Sequence, residues 1–227
     1  MRAPADPRAL PAAVLWDMDG TLVDSEPYWI AEEEALVSRA GGVWRTEDAL
    51  ELVGNDLMVS ATIILERTPV TGTPESVVQR LLDGVVARMT ASMPWRPGAL
   101  ELLSAFVGQG VPCALVTMSW APLADVLLDR LPPSTFAAVV TGDQVARGKP
   151  HPEPYLEAVR RLSVAPADCV AVEDSPTGAA SSTAAGVPTV VVPHVVDVPE
   201  MPGAVQLATL TGLDPRGLTA AARSVRA

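Results

Sequence analysis

Five short, mainly apolar runs punctuate the chain: Ala12 to Trp16, Val111 to Val116, Ala137 to Val140, Cys169 to Val172 and Thr189 to Val192. Runs this short, apolar at consecutive rather than alternate positions, predict strands buried on both faces. Segments of helical character separate most of them. After Asp174, Ser175 fits an N-cap and Pro176 the first helical position, and Gly186 and Pro188 close the segment. Arg96-Pro97-Gly98 opens another helix that runs through Leu102 and Leu103 to Gly110. The alternation predicts an α/β fold, a parallel sheet with helices on both faces.

One section breaks the pattern. From about Ser25 to Met93 no run reads as a strand. In its last part Val77, Val78, Leu81, Leu82, Val85, Val86 and Met89 recur at helical spacing behind a Thr73-Pro74 start. Such a stripe predicts core packing. Residues 25–93 are therefore expected to form a small helical cap domain inserted after the first strand, with residues 1–24 and 94–227 forming the core. The Ala- and Arg-rich tail from Thr219 is expected to fray.

Composition narrows the function classes. In 227 residues, 48% apolar and 19% charged, there is ample material for a packed core. The net charge of −11 excludes general nucleic-acid binding, which needs a surplus of Lys and Arg. Met1 to Pro11 lacks the continuous apolar stretch of a signal peptide, and Pro188, Pro193, His194 and Asp197 break the most apolar region, Gly186 to Val198. No membrane partner is expected. Cys113 and Cys169 lie inside predicted buried strands, as small core residues of a reducing compartment do, so a cytoplasmic protein is expected.

Candidate chemistry lies where the predicted strands end. Asp17-Met18-Asp19-Gly20-Thr21 follows the first strand, and Gly20 permits a sharp turn that brings both carboxylates towards one ligand. Taken alone, the motif fits a polar strand exit as well or better. Thr117 ends the second buried strand with a hydroxyl suited to a phosphate oxygen, and equally to a helix N-cap. Gly148-Lys149-Pro150 sets an ammonium in a stiff turn, for a phosphate or for solvent. Glu173 and Asp174 end another strand. Carboxylates gathered this closely repel one another, so a divalent cation is their natural partner. Oxygen-only ligands and a phosphate substrate favour magnesium, Mg²⁺.

In order, Asp-x-Asp-Gly-Thr, strand-Thr, Gly-Lys-Pro and Glu-Asp are the four signature motifs of the haloacid dehalogenase superfamily, which the chain strongly resembles from about Val14 to Pro193. A cap between the first and second motifs is similar to that of the β-phosphoglucomutase and phosphoglycolate phosphatase subfamily. The resemblance implies a Rossmann-like core and a small phosphorylated metabolite as substrate. It implies Asp17 as nucleophile, forming an aspartyl-phosphate, and Asp19 as proton donor and acceptor. Asp17, the Asp19 backbone carbonyl and Asp174 would hold Mg²⁺, with Glu173 as ligand or just behind. Thr117, Lys149 and the N–H groups near Met18 and Met118 would cradle the phosphate oxygens. Asp19 and the metal set the chain apart from dehalogenases proper, which lack both.

Between subfamily activities, Thr21 follows the phosphatase pattern. The cap stretch Gly54-Asn55-Asp56-Leu57-Met58-Val59-Ser60 carries no basic residue to grip a second phosphate, as a mutase must. Hydrolysis is expected, with a phosphomutase or a catalytically silent binding protein as the alternatives. Asn55, Asp56 and Trp120 are candidates to face the substrate, or ordinary surface positions. His151 reads as a turn residue. A monomer is the expected state.

Overall fold

The computed structural model describes residues 9–53 and 55–225. The N-terminal reading from Met1, Gly54 and the last two residues of the tail lie outside that range.

The element order is β1 (Val14–Trp16), α1 (Glu26–Arg39), α2 (Thr46–Leu50), α3 (Leu57–Arg67), α4 (Pro74–Ala91), α5 (Ala99–Gly108), β2 (Cys113–Val116), α6 (Ala121–Leu128), β3 (Ala138–Val140), α7 (Glu153–Leu162), β4 (Val170–Glu173), α8 (Pro176–Ala184), β5 (Thr189–Val191), β6 (Ala204–Gln206) and α9 (Pro215–Ser224). The six strands form one sheet, all parallel, in the order β3-β2-β1-β4-β5-β6. All five predicted strands are present, each within a residue or two of its expected bounds. The sixth, β6, was not foreseen. It is an edge strand of three half-exposed or exposed residues, so it lacks the apolar run that marks the others.

Alternate residues of the central strands feed two cores. Val14, Trp16, Leu115 and Val172 pack on one face with Leu102 and Phe106 of α5. Leu15, Ala114, Val116 and Ala171 pack on the other with Tyr155, Ala158 and Val159 of α7. Strands buried on both faces are continuous apolar runs for this reason.

The helical section is as the periodicity predicts. Thr73 caps α4, its hydroxyl accepting from the Ser76 N–H, and Val77, Val78, Leu81, Leu82, Val85 and Met89 are buried. The helix packs on α1, α3 and α6. The two connections to this section run side by side: Asp24 N–H donates to the Pro94 carbonyl and Arg96 N–H to that of Leu22. His194 joins them, with Nε2 2.8 Å from Asp24 Oδ1 and Nδ1 2.6 Å from Arg96 Nη1.

The tail is a correction. Residues Pro215–Ser224 form α9, capped by Asp214, with Leu218, Thr219 and Ala222 buried. One buried face, Pro215, Leu218, Thr219 and Ala222, holds a segment whose composition reads as loose. No described helix is long and apolar enough to cross a membrane.

Candidate active site

The carboxyl ends of β1, β2 and β4 and the loop after the edge strand β3 carry every group that the motifs single out, as expected for ligand binding in an open parallel sheet. The register pairs Trp16 with Leu115 on one side and with Val172 on the other. One residue further on, Asp17, Val116 and Glu173 form the next row. Lys149, arriving from the loop after β3, ties that row together. Its Nζ donates to Asp17 Oδ1 at 2.7 Å, to Glu173 Oε1 at 2.7 Å and to the Val116 carbonyl at 2.9 Å. Lys149 is thus a buried cation with all three donors used, not a surface lysine. The Tyr155 hydroxyl also donates to Glu173 Oε1, from beneath the site.

The electrostatics are unbalanced. Asp17, Glu173 and Asp174 are all buried, and each offers an oxygen within 4.8 Å of the others. Burial pushes the Asp17 carboxyl up to about 7, with Lys149 opposing and Glu173 and Asp19 reinforcing the rise. Burial, then Asp17 and Glu173, hold the Asp174 carboxyl well above its ordinary range. Burial disfavours the Lys149 ammonium, yet Asp17 and Glu173 more than offset it and raise its pKa. One cation cannot neutralise three carboxylates.

Among the described residues Asp17 Oδ2 is buried without a hydrogen-bond partner, an arrangement that costs free energy unless something else satisfies the oxygen. The donor set is all oxygen, so a hard divalent ion such as Mg²⁺ fits. Space confirms how closely the loops meet here. A Cβ on Gly20, whose φ is +83°, would lie 1.9 Å from Asp174 Oδ2, so only glycine serves at that turn.

Asp19 stands apart from the three buried carboxylates. Ser25 Oγ donates to its Oδ1 at 2.5 Å, and Ser119 Oγ and Thr117 Oγ1 donate to its Oδ2 at 2.8 and 3.2 Å. Its backbone carbonyl, the atom expected to reach a metal, accepts no hydrogen bond among the described residues. The Thr117 hydroxyl thus points at Asp19, and its oxygen also accepts the Ser119 N–H, so it does not cap α6. The backbone N–H groups of Met18 and Met118 have no acceptor among the described residues, while Met118 Sδ accepts the Lys149 N–H.

A cleft of about 890 Å³, its mouth included, opens between these groups and the inserted helices. Asn55 lines it, but Asp56 and Trp120 do not. Asp56 caps α3 by accepting from the Met58 N–H. His151 is a turn residue that accepts the Glu153 N–H at the start of α7.

Several participants escaped the sequence reading. Ser25 and Ser119 each lie within two residues of a residue singled out there or of the cap boundary, yet nothing marks them as partners of Asp19. Tyr155 looks like any apolar position on α7. Glu26 and Glu33 line the cleft from α1, although Glu33 sits in an Glu32-Glu33-Glu34 run that reads as a solvated face.

Residues 14–192 match the family model described as haloacid dehalogenase-like hydrolase. Hexitol phosphatase A and hexitol phosphatase B of Escherichia coli K12 are 35% and 30% identical to the chain, each alignment covering 82% of this chain and 85% of the relative. Among solved structures, that of CbbY from Rhodobacter sphaeroides in complex with phosphate superposes with a TM-score of 0.84 at 26% identity, covering 92% of this chain and 99% of that one.

Proposed function

The chain belongs to the haloacid dehalogenase-like hydrolases, and from that premise we propose that it is a Mg²⁺-dependent phosphatase of small phosphorylated metabolites, working through an aspartyl-phosphate on Asp17. The observation that carries this reading is the buried Asp17 itself, with one oxygen fixed by Lys149, the other without a partner among the described residues, and Asp174 alongside.

Mg²⁺, held by Asp17, Asp174 and the Asp19 carbonyl with Glu173 close behind, would offset the repulsion between an anionic nucleophile and an anionic phosphate. In the first step an Asp17 oxygen attacks phosphorus and the bond to the leaving oxygen breaks. Asp19 gives that oxygen its proton. In the second step water attacks phosphorus, Asp19 takes a proton from the water, and the Asp17–phosphorus bond breaks to release phosphate. The N–H groups of Met18 and Met118 supply fixed donors for the charge on the phosphoryl oxygens, and the Lys149 ammonium, held on Asp17, adds its positive charge beside them. Ser25, Thr117 and Ser119 orient the Asp19 carboxylate through both stages. Residues 25–93 serve as the cap that closes over the cleft, on a core of 1–24 and 94–227. The enzyme is taken to be cytoplasmic and monomeric.

The substrate carries one phosphate in this reading. Among the described residues lining the cleft Lys149 is the sole Lys or Arg, and it is committed to Asp17 and Glu173. A mutase must hold a second phosphate and would need another cation, and the relatives named as hexitol phosphatases agree with hydrolysis. The test is phosphate release from a panel of sugar phosphates, phosphoglycolate and nucleoside monophosphates. Release that needs Mg²⁺, stops in EDTA and is lost in a folded Asp17→Asn variant is expected. Release that persists in that variant would refute the assignment of the nucleophile. Conversion of β-glucose 1-phosphate to glucose 6-phosphate, without release from any of the panel, would establish the mutase instead.

A further inference from the structure

The cleft has two sides of different chemistry, and only one of them is used in the steps above. The other carries two carboxylates, Glu26 and Glu33, which have no role in phosphoryl transfer. They lie seven residues apart on α1, which is two turns and about 10 Å along the axis, so both face the cleft. Glu26 directly follows Ser25, whose hydroxyl holds Asp19, and so begins on the side where a leaving group departs.

Glu33 is only 5% exposed. Glu32 pairs with Arg88 at 2.6 Å and Glu34 is exposed. Glu33 alone is turned inward, where the buried Trp44 Nε1–H donates to its Oε2 at 3.0 Å. That bond fixes the carboxylate and leaves Oε1 with no donor among the described residues. Glu26 has no hydrogen-bond donor among them at all.

Buried acceptors cost free energy unless donors reach them. Among the described residues lining the cleft no cation is available to do so, since Lys149 is engaged elsewhere. Water in the open cleft reaches these oxygens, and a ligand that displaces it must bring donors of its own. A second phosphate or a carboxylate at this end would meet two acidic groups and no free cation, and so would find no partner of opposite charge. A chain of hydroxyls satisfies both.

We propose that Glu26 and Glu33 set the specificity of this enzyme by accepting hydrogen bonds from the hydroxyls of an uncharged, sugar-sized polyol leaving group that carries a single phosphate. The proposal rests on the phosphatase reading and adds to it the residues that choose the substrate. Trp44 is then a positioning residue, acting through Glu33.

The experiment compares kcat/KM, with Mg²⁺ present, for sorbitol 6-phosphate, glucosamine 6-phosphate, fructose 1,6-bisphosphate, phosphoglycolate and p-nitrophenyl phosphate. Wild type is expected to favour sorbitol 6-phosphate over the bisphosphate and over phosphoglycolate by on the order of a hundredfold. In Glu33→Gln and in Glu26→Gln, the ratio of kcat/KM for sorbitol 6-phosphate to that for p-nitrophenyl phosphate should fall by about tenfold, mainly through KM. Should either variant fail to fold, the wild-type panel decides. Preference for glucosamine 6-phosphate, for the bisphosphate or for phosphoglycolate would overturn the proposal while leaving the phosphatase intact, as would a ratio that does not move. Failure of the wild type to hydrolyse p-nitrophenyl phosphate and every other member of the panel would overturn both.

Discussion

Replacing Lys149 by methionine keeps much of the side-chain volume but removes the one cation among Asp17, Glu173 and Asp174. The Lys149 side chain is 4% exposed and sits 2.7 Å from each of its two carboxylate partners. Breaking a buried ion pair from one side costs about 3–5 kcal/mol, because the remaining charge is left uncompensated. In a protein of this size each kcal/mol lowers Tm by about 2–4 °C. Lys149→Met should therefore melt roughly 6–20 °C below wild type in EDTA at neutral pH. Mg²⁺ supplies the missing positive charge and binds only the folded protein, so it should restore part of the loss and raise the variant's Tm by more than it raises wild type's. Activity should stay at least about a hundredfold down even with Mg²⁺, since the ammonium that fixes Asp17 and adds positive charge beside the phosphoryl oxygens is gone. Thermal melts with EDTA and with Mg²⁺, followed by phosphate release, measure all three. A variant that melts within 2 °C of wild type in EDTA (roughly one kcal/mol at most) would refute the view that Lys149 offsets a buried excess of negative charge.

Other perturbations test the surroundings. Gly20→Ala places a methyl 1.9 Å from Asp174 Oδ2 in a left-handed turn. It should weaken Mg²⁺ binding by about tenfold or more, as read by titration calorimetry. Tyr155→Phe leaves Glu173 short of a donor and should cost about 1–3 kcal/mol in urea unfolding without changing the fold. The Glu33 carboxyl is pushed up to about 7 by burial, against an opposing hydrogen bond from Trp44, from an ordinary value of 4.5. The folded state therefore holds this proton more tightly than the unfolded state. Its contribution is fully present below pH 4.5 and is lost as pH rises through about 7. Relative to wild type, Glu33→Gln should gain about 3 kcal/mol of stability between pH 4.5 and pH 8, as measured by urea unfolding across that range.

Much of this arrangement is legible in the chain, because each legible feature has a local cause. Buried parallel strands need consecutive apolar residues, so β1 to β5 announce themselves. Thr73-Pro74 and Ser175-Pro176 are starts that α4 and α8 use. The strand-end motifs carry acids and a lysine where a two-face-buried strand has no other reason to place them. What the chain hides is set by long-range packing. β6 is too short and too exposed to show a pattern, and α9 is held by contacts that its alanines do not advertise. Tyr155 is indistinguishable from a core residue until its hydroxyl is seen on Glu173. Glu33 differs from Glu32 and Glu34 only in the direction it faces, which depends on where Trp44 lies. Even Thr117, singled out for a phosphate, spends its hydroxyl on Asp19, a partner 98 residues away.

The central claim is that Asp17 takes the phosphoryl group onto itself before water releases it. The most direct measurement is acid quenching of the enzyme within a turnover, with Mg²⁺ and sorbitol 6-phosphate or p-nitrophenyl phosphate, followed by mass spectrometry of the peptide that carries Asp17. The account predicts a phosphoryl adduct on that aspartate, discharged by hydroxylamine and absent from Asp17→Asn. Rapid phosphate release with no adduct on Asp17 at any quench time, from an Asp17→Asn variant as well as from wild type, would contradict it.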